Sequence, residues 1–250
     1  MAPRKLSRVL AGENSKLLLR FAPRWEARYK VTNRIITERG INQILEIAAG
    51  LSPRGLAMTE NSNVVYVVTD LPNMIQEQKT VTRNILSRCK SRRANLHFQA
   101  GNALDGGTLL NASTYFRAKQ PVAVITEGLL PYLNRREKKV LARNIHETTA
   151  RRGIWITTDV ETKESIKKMT KSFEGVRRRL SGLSKLTGRD VEGNMFATEM
   201  ELERFFGDAG FEITQVRPHS SVMSELSSIR NLNLTREESG LSTLQSSMNT

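Results

Sequence analysis

Ile44-Leu45-Glu46-Ile47-Ala48-Ala49-Gly50-Leu51-Ser52-Pro53-Arg54-Gly55 is the stretch that decides the fold class of this chain. It opens as an apolar run with one acid inside it and closes on small residues and glycine, the pattern of a buried parallel strand feeding a tight turn. Ala48, Ala49, Gly50 and Gly55 leave little side-chain bulk behind that strand, so a ligand can approach the backbone closely. Small residues also suit a helix packed tightly on a strand, and this stretch alone leaves both readings open.

The next strand decides between them. Val64-Val65-Tyr66-Val67-Val68-Thr69-Asp70 is β-branched and ends in an acid roughly 20 positions after the glycine turn, the spacing at which a carboxylate reaches ribose hydroxyls. The turn lacks the G-x-G-x-x-G that cradles a dinucleotide pyrophosphate. Its looser E-x-A-x-G form suits a nucleoside without one, such as S-adenosylmethionine. Asn95 to Ala100 reads as a third strand, with Gly101-Asn102-Ala103-Leu104-Asp105 behind it. Asp105 and the backbone of Ala103 and Leu104 would meet an adenine ring; as a plain turn, Asn102 and Asp105 would shape the loop and cap the next helix. A fourth strand, Pro121 to Thr126, delivers Glu127-Gly128-Leu129-Leu130-Pro131-Tyr132-Leu133 to the same edge, and Ile154 to Val160 is a fifth. Open α/β sheets bind ligands at that edge.

Composition bounds the function classes. The chain has 250 residues, 38% of them hydrophobic, enough for one α/β domain with a full core. One cysteine, Cys89, excludes an internal disulfide framework, and with three histidines a metal centre has little to be built from, so no metal is expected. No stretch approaches the roughly 20 apolar residues of a membrane span, and Met1-Ala2-Pro3-Arg4-Lys5 is not followed by an apolar signal core, which points to a cytoplasmic protein without a membrane partner. A net charge of +14 raises the prior for an acidic partner, nucleic acid included.

Residues 1–14 read as a loose basic terminus, 15–220 as one domain and 221–250 as a polar tail. Leu17, Leu18, Phe21 and Trp25 recur at helical spacing, with Pro23 marking a break or the first turn of a second helix. Within Trp25-Glu26-Ala27-Arg28-Tyr29-Lys30, Arg28 is either a solvated charge or a clamp for a carboxylate. After strand five, Ile166, Met169, Phe173, Val176, Leu180 and Leu183 form an apolar stripe on an amphipathic helix or helix pair; residues 161–198 would be a lid and substrate region, or ordinary core with a solvated basic face. Phe211 to Val216 is a sixth strand and His219 leaves it on a loop, as a satisfied polar residue or a weak candidate base. Ser221 to Thr250 holds no β-branched run, which leaves a closing seventh strand in doubt.

LEIAAGLSPRG, VVTDLP, FQAGNALD and VITEGLLPYL, with WEARYK upstream, together resemble the leucine carboxyl methyltransferase-like group of class I S-adenosylmethionine-dependent methyltransferases, nearest the O-methyltransferases associated with polyketide synthesis. The resemblance runs from about Phe21 to Val160. It implies a Rossmann-like, doubly wound, mostly parallel sheet and O-methylation of a small hydroxyl or carboxylate acceptor, anionic or carrier-bound acceptors included. It also implies cofactor roles for Arg28, Glu46, Ala48, Gly50, Asp70, Leu71, Asn102, Ala103, Leu104, Asp105, Glu127 and Gly128, with Tyr132 and His219 on the substrate side. Two other classes stay open on the sequence: a nucleic-acid methyltransferase, and a cofactor-binding scaffold without turnover.

Overall fold

The computed structural model describes residues 15–169, 173–232 and 246–249; the loose terminus expected at 1–14 lies outside them. The described residues divide into two compact units, one holding those up to Thr37 and those from Arg217 to 232, the other holding Glu38–Val216 and 246–249.

The larger unit is built on a seven-stranded sheet of order β3-β2-β1-β4-β5-β7-β6. Its strands are β1 (Gln43–Ile47), β2 (Val65–Asp70), β3 (Leu96–Ala100), β4 (Val122–Thr126), β5 (Gly153–Thr157), β6 (Glu212–Val216) and β7 (Ser246–Asn249). β1 to β5 pair in parallel, and β7 is antiparallel to both of its neighbours. β1 and β4 are buried at every position, as their unbroken apolar runs require of central parallel strands. The register sets the functional edge. Ile47 stands opposite Thr69 on one side and Thr126 on the other, and Thr126 stands opposite Thr157. Ala48, Asp70, Glu127 and Thr158 therefore leave four strands at one level. β1 lies between β2 and β4, where the chain switches from winding outward on one side to winding outward on the other.

Helices cover the sheet: α2 (Arg54–Met58), α3 (Pro72–Arg88), α4 (Gly106–Ser113), α5 (Arg135–Thr149) and α9 (Glu199–Asp208). α5 begins with a capping box in which Asn134 and Glu137 satisfy each other's backbone amides. Trp155 is fully buried against the edges of Phe206 and Phe211, and its indole donates to Thr126 Oγ1 at 2.9 Å. The stripe after β5 forms a helix pair, α6 (Lys163–Met169) and α7 (Phe173–Thr187), followed by the short α8 (Val191–Asn194).

The sequence doubt over a seventh strand is corrected by β7. Ser246-Ser247-Met248-Asn249 has no β-branched residue, yet it pairs with β5 and β6 at once, so both sides of its backbone are satisfied by the ladder. Strand identity here comes from two waiting partners rather than from propensity.

The smaller unit contains α1 (Ser15–Glu38, up to Thr37), a 3-10 turn from His219 to Glu225 and α10 (Ser227–Leu232). α1 continues through Pro23 instead of ending there, at the loss of one backbone donor. Glu26 on α1 caps α10, accepting from the amides and hydroxyls of both Ser227 and Ser228 at 2.6–2.9 Å. Burial raises this carboxyl, but the four bonds outweigh it and bring it down to about 2. Lys30 Nζ donates to the Glu225 carbonyl at 2.7 Å, and Arg34 pairs with the Glu225 carboxylate. No helix among the described residues is long and apolar enough to cross a membrane, and none of their His, Cys, Asp and Glu side chains cluster in a way that could hold a metal ion.

Candidate functional site

Behind β1 the chain turns through two left-handed residues, Ala48 at φ 55° and Gly50 at φ 57°. Nothing lies within 4 Å of where a Gly50 side chain would project, so the turn presents bare backbone to open space. Asp70 holds it there. One carboxylate oxygen accepts from the Gly50 amide and the other from the Leu71 amide, each at 2.7 Å, which ties the ends of β1 and β2 together.

Glu46 is buried inside β1 and engages both of its oxygens, one with Arg54 and one with the Tyr66 hydroxyl at 2.8 Å. Arg54 is fully buried at the start of α2 and reaches Glu127 at 2.9 Å with its other nitrogen. One guanidinium thus bridges the acids of β1 and of the β4 exit, while burial, with Glu127 adding to it, raises the Glu46 carboxyl against the pull of Arg54. Burial alone would lower the Arg54 pKa, yet the two carboxylates raise it and keep the guanidinium charged. Burial pushes the Tyr66 phenol well above its usual range, and Glu46 adds to the rise.

Glu127 and Gly128 leave β4 beside this network. Gly128 is exposed at φ 73° with open space above its Cα, a second place where backbone alone faces the edge. The loop runs on into a 3-10 turn, Leu130–Tyr132, that holds the half-buried Tyr132. Asp159, just past β5, accepts from Gly128 N at 2.8 Å with one oxygen and from Leu129 N and Leu130 N at 2.7 and 3.1 Å with the other. At the far end of the loop, the buried Lys138 ammonium donates to the carbonyls of Leu133 and, at 2.8 Å, Asn194. Burial, with Arg135 adding to it, lowers that ammonium to about 8.

On the β3 side, Asn102 Oδ1 accepts from Leu104 N at 3.0 Å, and Asp105 Oδ1 caps α4 by accepting from Gly107 N at 3.0 Å. Both residues therefore perform the turn and cap work that their types favour. They do so at the same end of the sheet, since Gly101 N donates to the Asp70 carbonyl at 2.9 Å. Ala103 and Leu104 pack half-buried against the core.

The fold thus gathers Glu46, Ala48, Gly50, Asp70, Leu71, Asn102 to Asp105, Glu127, Gly128 and Tyr132 within the larger unit, while Arg28 and the buried His219 belong to the smaller one. Sequence reasoning missed Arg54, Tyr66 and Asp159. A usable signal existed: β2, β4 and β5 run out as Thr69-Asp70, Thr126-Glu127 and Thr158-Asp159, and a threonine followed by an acid at three strand ends marks one shared edge.

Against this geometry, the family profile described as leucine carboxyl methyltransferase matches residues 16–146. The chain belongs to that family, a group of S-adenosylmethionine-dependent methyltransferases on a Rossmann-like sheet. A curated relative from Mycobacteroides abscessus, named as an S-adenosyl-L-methionine-dependent methyltransferase, is 30% identical over 111 residues, which is 44% of this chain and 35% of the relative. The aligned part is thus about a third of that relative's length. Among solved structures, a protein from Thermobifida fusca named as a methyltransferase aligns with a TM-score of 0.56 at 17% identity, covering 91% of this chain and 79% of its own. One from Nostoc punctiforme named as an O-methyltransferase aligns with a TM-score of 0.53 at 17% identity, covering 80% and 52%. These likenesses describe the fold.

Proposed function

We propose that the chain is an S-adenosylmethionine-dependent methyltransferase that methylates an oxygen of a small molecule, a phenol-type hydroxyl or a carboxylate. The observation that carries this reading is the shared edge of β1, β2 and β4, where two open left-handed glycines flank a buried Glu46–Arg54–Glu127 network at the switch point of the sheet. The residues present fit the cofactor. Gly50 and Gly128 leave backbone room for it beside the Glu46–Arg54–Glu127 network.

S-adenosylmethionine, when bound, supplies an electrophilic methyl on a sulfonium. The chain's own residues would hold and orient. Asp70, already aligned by the Gly50 and Leu71 amides, would accept from ribose hydroxyls. The Asn102 to Asp105 turn would flank the base, and Glu127 with the Gly128 backbone would take the methionine end. Residues 161–198 follow β5 as a helical insert; this reading makes them the acceptor-side cover, with Tyr132 below. A carboxylate acceptor requires no proton removal, so alignment alone can drive its methylation. A cytoplasmic location fits this reading.

The test is calorimetric titration with S-adenosylmethionine and with its demethylated product, followed by an acceptor panel of aromatic hydroxyls and carboxylates. Micromolar binding of both with transfer to a panel member supports the reading; absence of binding overturns it. The charge of +14 would also serve nucleic acid. Methyl transfer to RNA rather than to the panel would move the acceptor class there.

A further inference from the structure

Asp159 stands one strand away from the acids that the cofactor reading uses, and nothing in that reading employs it. Its geometry is nonetheless specific. Three consecutive backbone amides, Gly128, Leu129 and Leu130, converge on its two oxygens within 2.7–3.1 Å. Its own amide donates to Thr157 Oγ1 at 3.2 Å, which fixes it to the end of β5. Gly128 supplies the left-handed bend, φ 73°, that turns its amide and the next two toward one point. A charged acceptor of three amides is much stronger than a neutral one, so the loop conformation depends on the carboxylate form.

Glu127 immediately precedes these amides and is itself bonded to Arg54. The loop is therefore held from two sides: by α2 through the Glu127 side chain and by β5 through the backbone that follows it. We propose that Asp159 is a positioning residue that sets the Glu127–Leu130 loop in the conformation needed to take the methionine end of the cofactor; this rests on the proposed function. Asp159 touches no substrate in this scheme and acts through the loop.

The experiment compares wild-type protein with Asp159→Asn, Asp159→Glu and, as an unrelated surface carboxylate, Asp208→Asn. Two quantities are read on each: amide hydrogen exchange across residues 127–133 and calorimetric affinity for S-adenosylmethionine. In Asp159→Asn the side-chain amide faces backbone donors, so exchange at 128–130 should accelerate and affinity should fall on the order of 10–100-fold, the scale of a misplaced binding group. Asp159→Glu, which keeps a carboxylate, should recover part of both, and Asp208→Asn should move neither. A purely structural role would lower the melting temperature while the folded protein kept its affinity, and that result overturns the proposal. Loop amides that stay protected in Asp159→Asn overturn it as well, whether or not the protein binds the cofactor. Wild-type protein that binds no S-adenosylmethionine instead overturns the function reading on which the proposal rests, and the positioning role falls with it. Should Asp159→Asn not fold, Asp159→Glu carries the same comparison with a smaller expected loss.

Discussion

Two residues in the larger unit carry consequences that their types alone would not announce. Arg54 is a fully buried cation in a five-residue helix, held between two carboxylates. Replacing it by Met should leave both acids uncompensated and cost about 3–5 kcal/mol of stability, a typical loss when one member of a buried charge network is removed. Urea unfolding would measure it. The deficit should shrink as pH falls and the carboxyls protonate, because the variant then no longer buries bare charge. Gly153 opens β5 at φ 142°, and a Cβ there would sit 1.9 Å from the Val122 carbonyl oxygen. That contact is backbone against backbone, which no side-chain rotation relieves. Gly153→Ala should therefore lose at least about 3 kcal/mol or fail to fold; a denaturation midpoint equal to that of the wild type would show that β4 and β5 can separate freely. Neither residue stood out in the sequence, where nothing local marks Arg54 as a buried cation or Gly153 as a point of close approach. Burial and close approach belong to the folded neighbours rather than to the segment itself.

At the scale of elements, the join between the β4 loop and the insert after β5 runs through Lys138. Its ammonium holds the Leu133 carbonyl on one side and the Asn194 carbonyl on the other, while Asn194 Nδ2 returns to the Pro131 carbonyl at 3.2 Å. The folded pKa is about 8 against 10.5 for the free side chain. Between those values the unfolded chain binds the proton and the folded chain does not, so this group makes stability rise with pH from about 8 to 10.5. Below pH 8 both states are charged and the folded state bears the net penalty of burial and Arg135 repulsion less the pull of Asp159, Glu137 and Glu201, on the order of 3 kcal/mol at most. Thermal unfolding of wild type and Lys138→Met across that range should show the wild type gaining relative to the variant; parallel curves would mean the ammonium is better solvated than its surroundings suggest. The strands and the helix pair were legible in sequence because unbroken apolar runs and a period-3.6 stripe survive without tertiary information. The clamps were not. Lys138 sits among Arg135, Arg136, Lys139 and Arg143, and only folding picks out the one that turns inward.

At the scale of the whole molecule, the sheet order carries a lesson about what a sequence conceals. The five parallel strands follow from hydrophobic runs and the switch-point logic of α/β folds, so the edge used by the candidate site was readable before any coordinates. β7 was not, because a polar tetrapeptide becomes a strand only where two partners wait for it. Its position makes a sharp prediction. In the order β5-β7-β6, β7 is the strand that pairs with both the parallel core and β6 among the described residues, with three paired residues on each side. Removing residues 246–250 should leave β6 without its partner and turn β5 into a bare edge. At about 0.5–1.5 kcal/mol net per ladder bond, the truncated protein should be less stable on the order of 2–4 kcal/mol. It should also associate at high concentration, since β5 would present unpaired amides and carbonyls beside a strongly apolar face. Urea unfolding at low concentration separates the two effects, and light scattering reads the second. A truncated chain with an unchanged midpoint and no association would mean that β5 and β6 close against each other directly, and the final strand would then be dispensable to the sheet it completes.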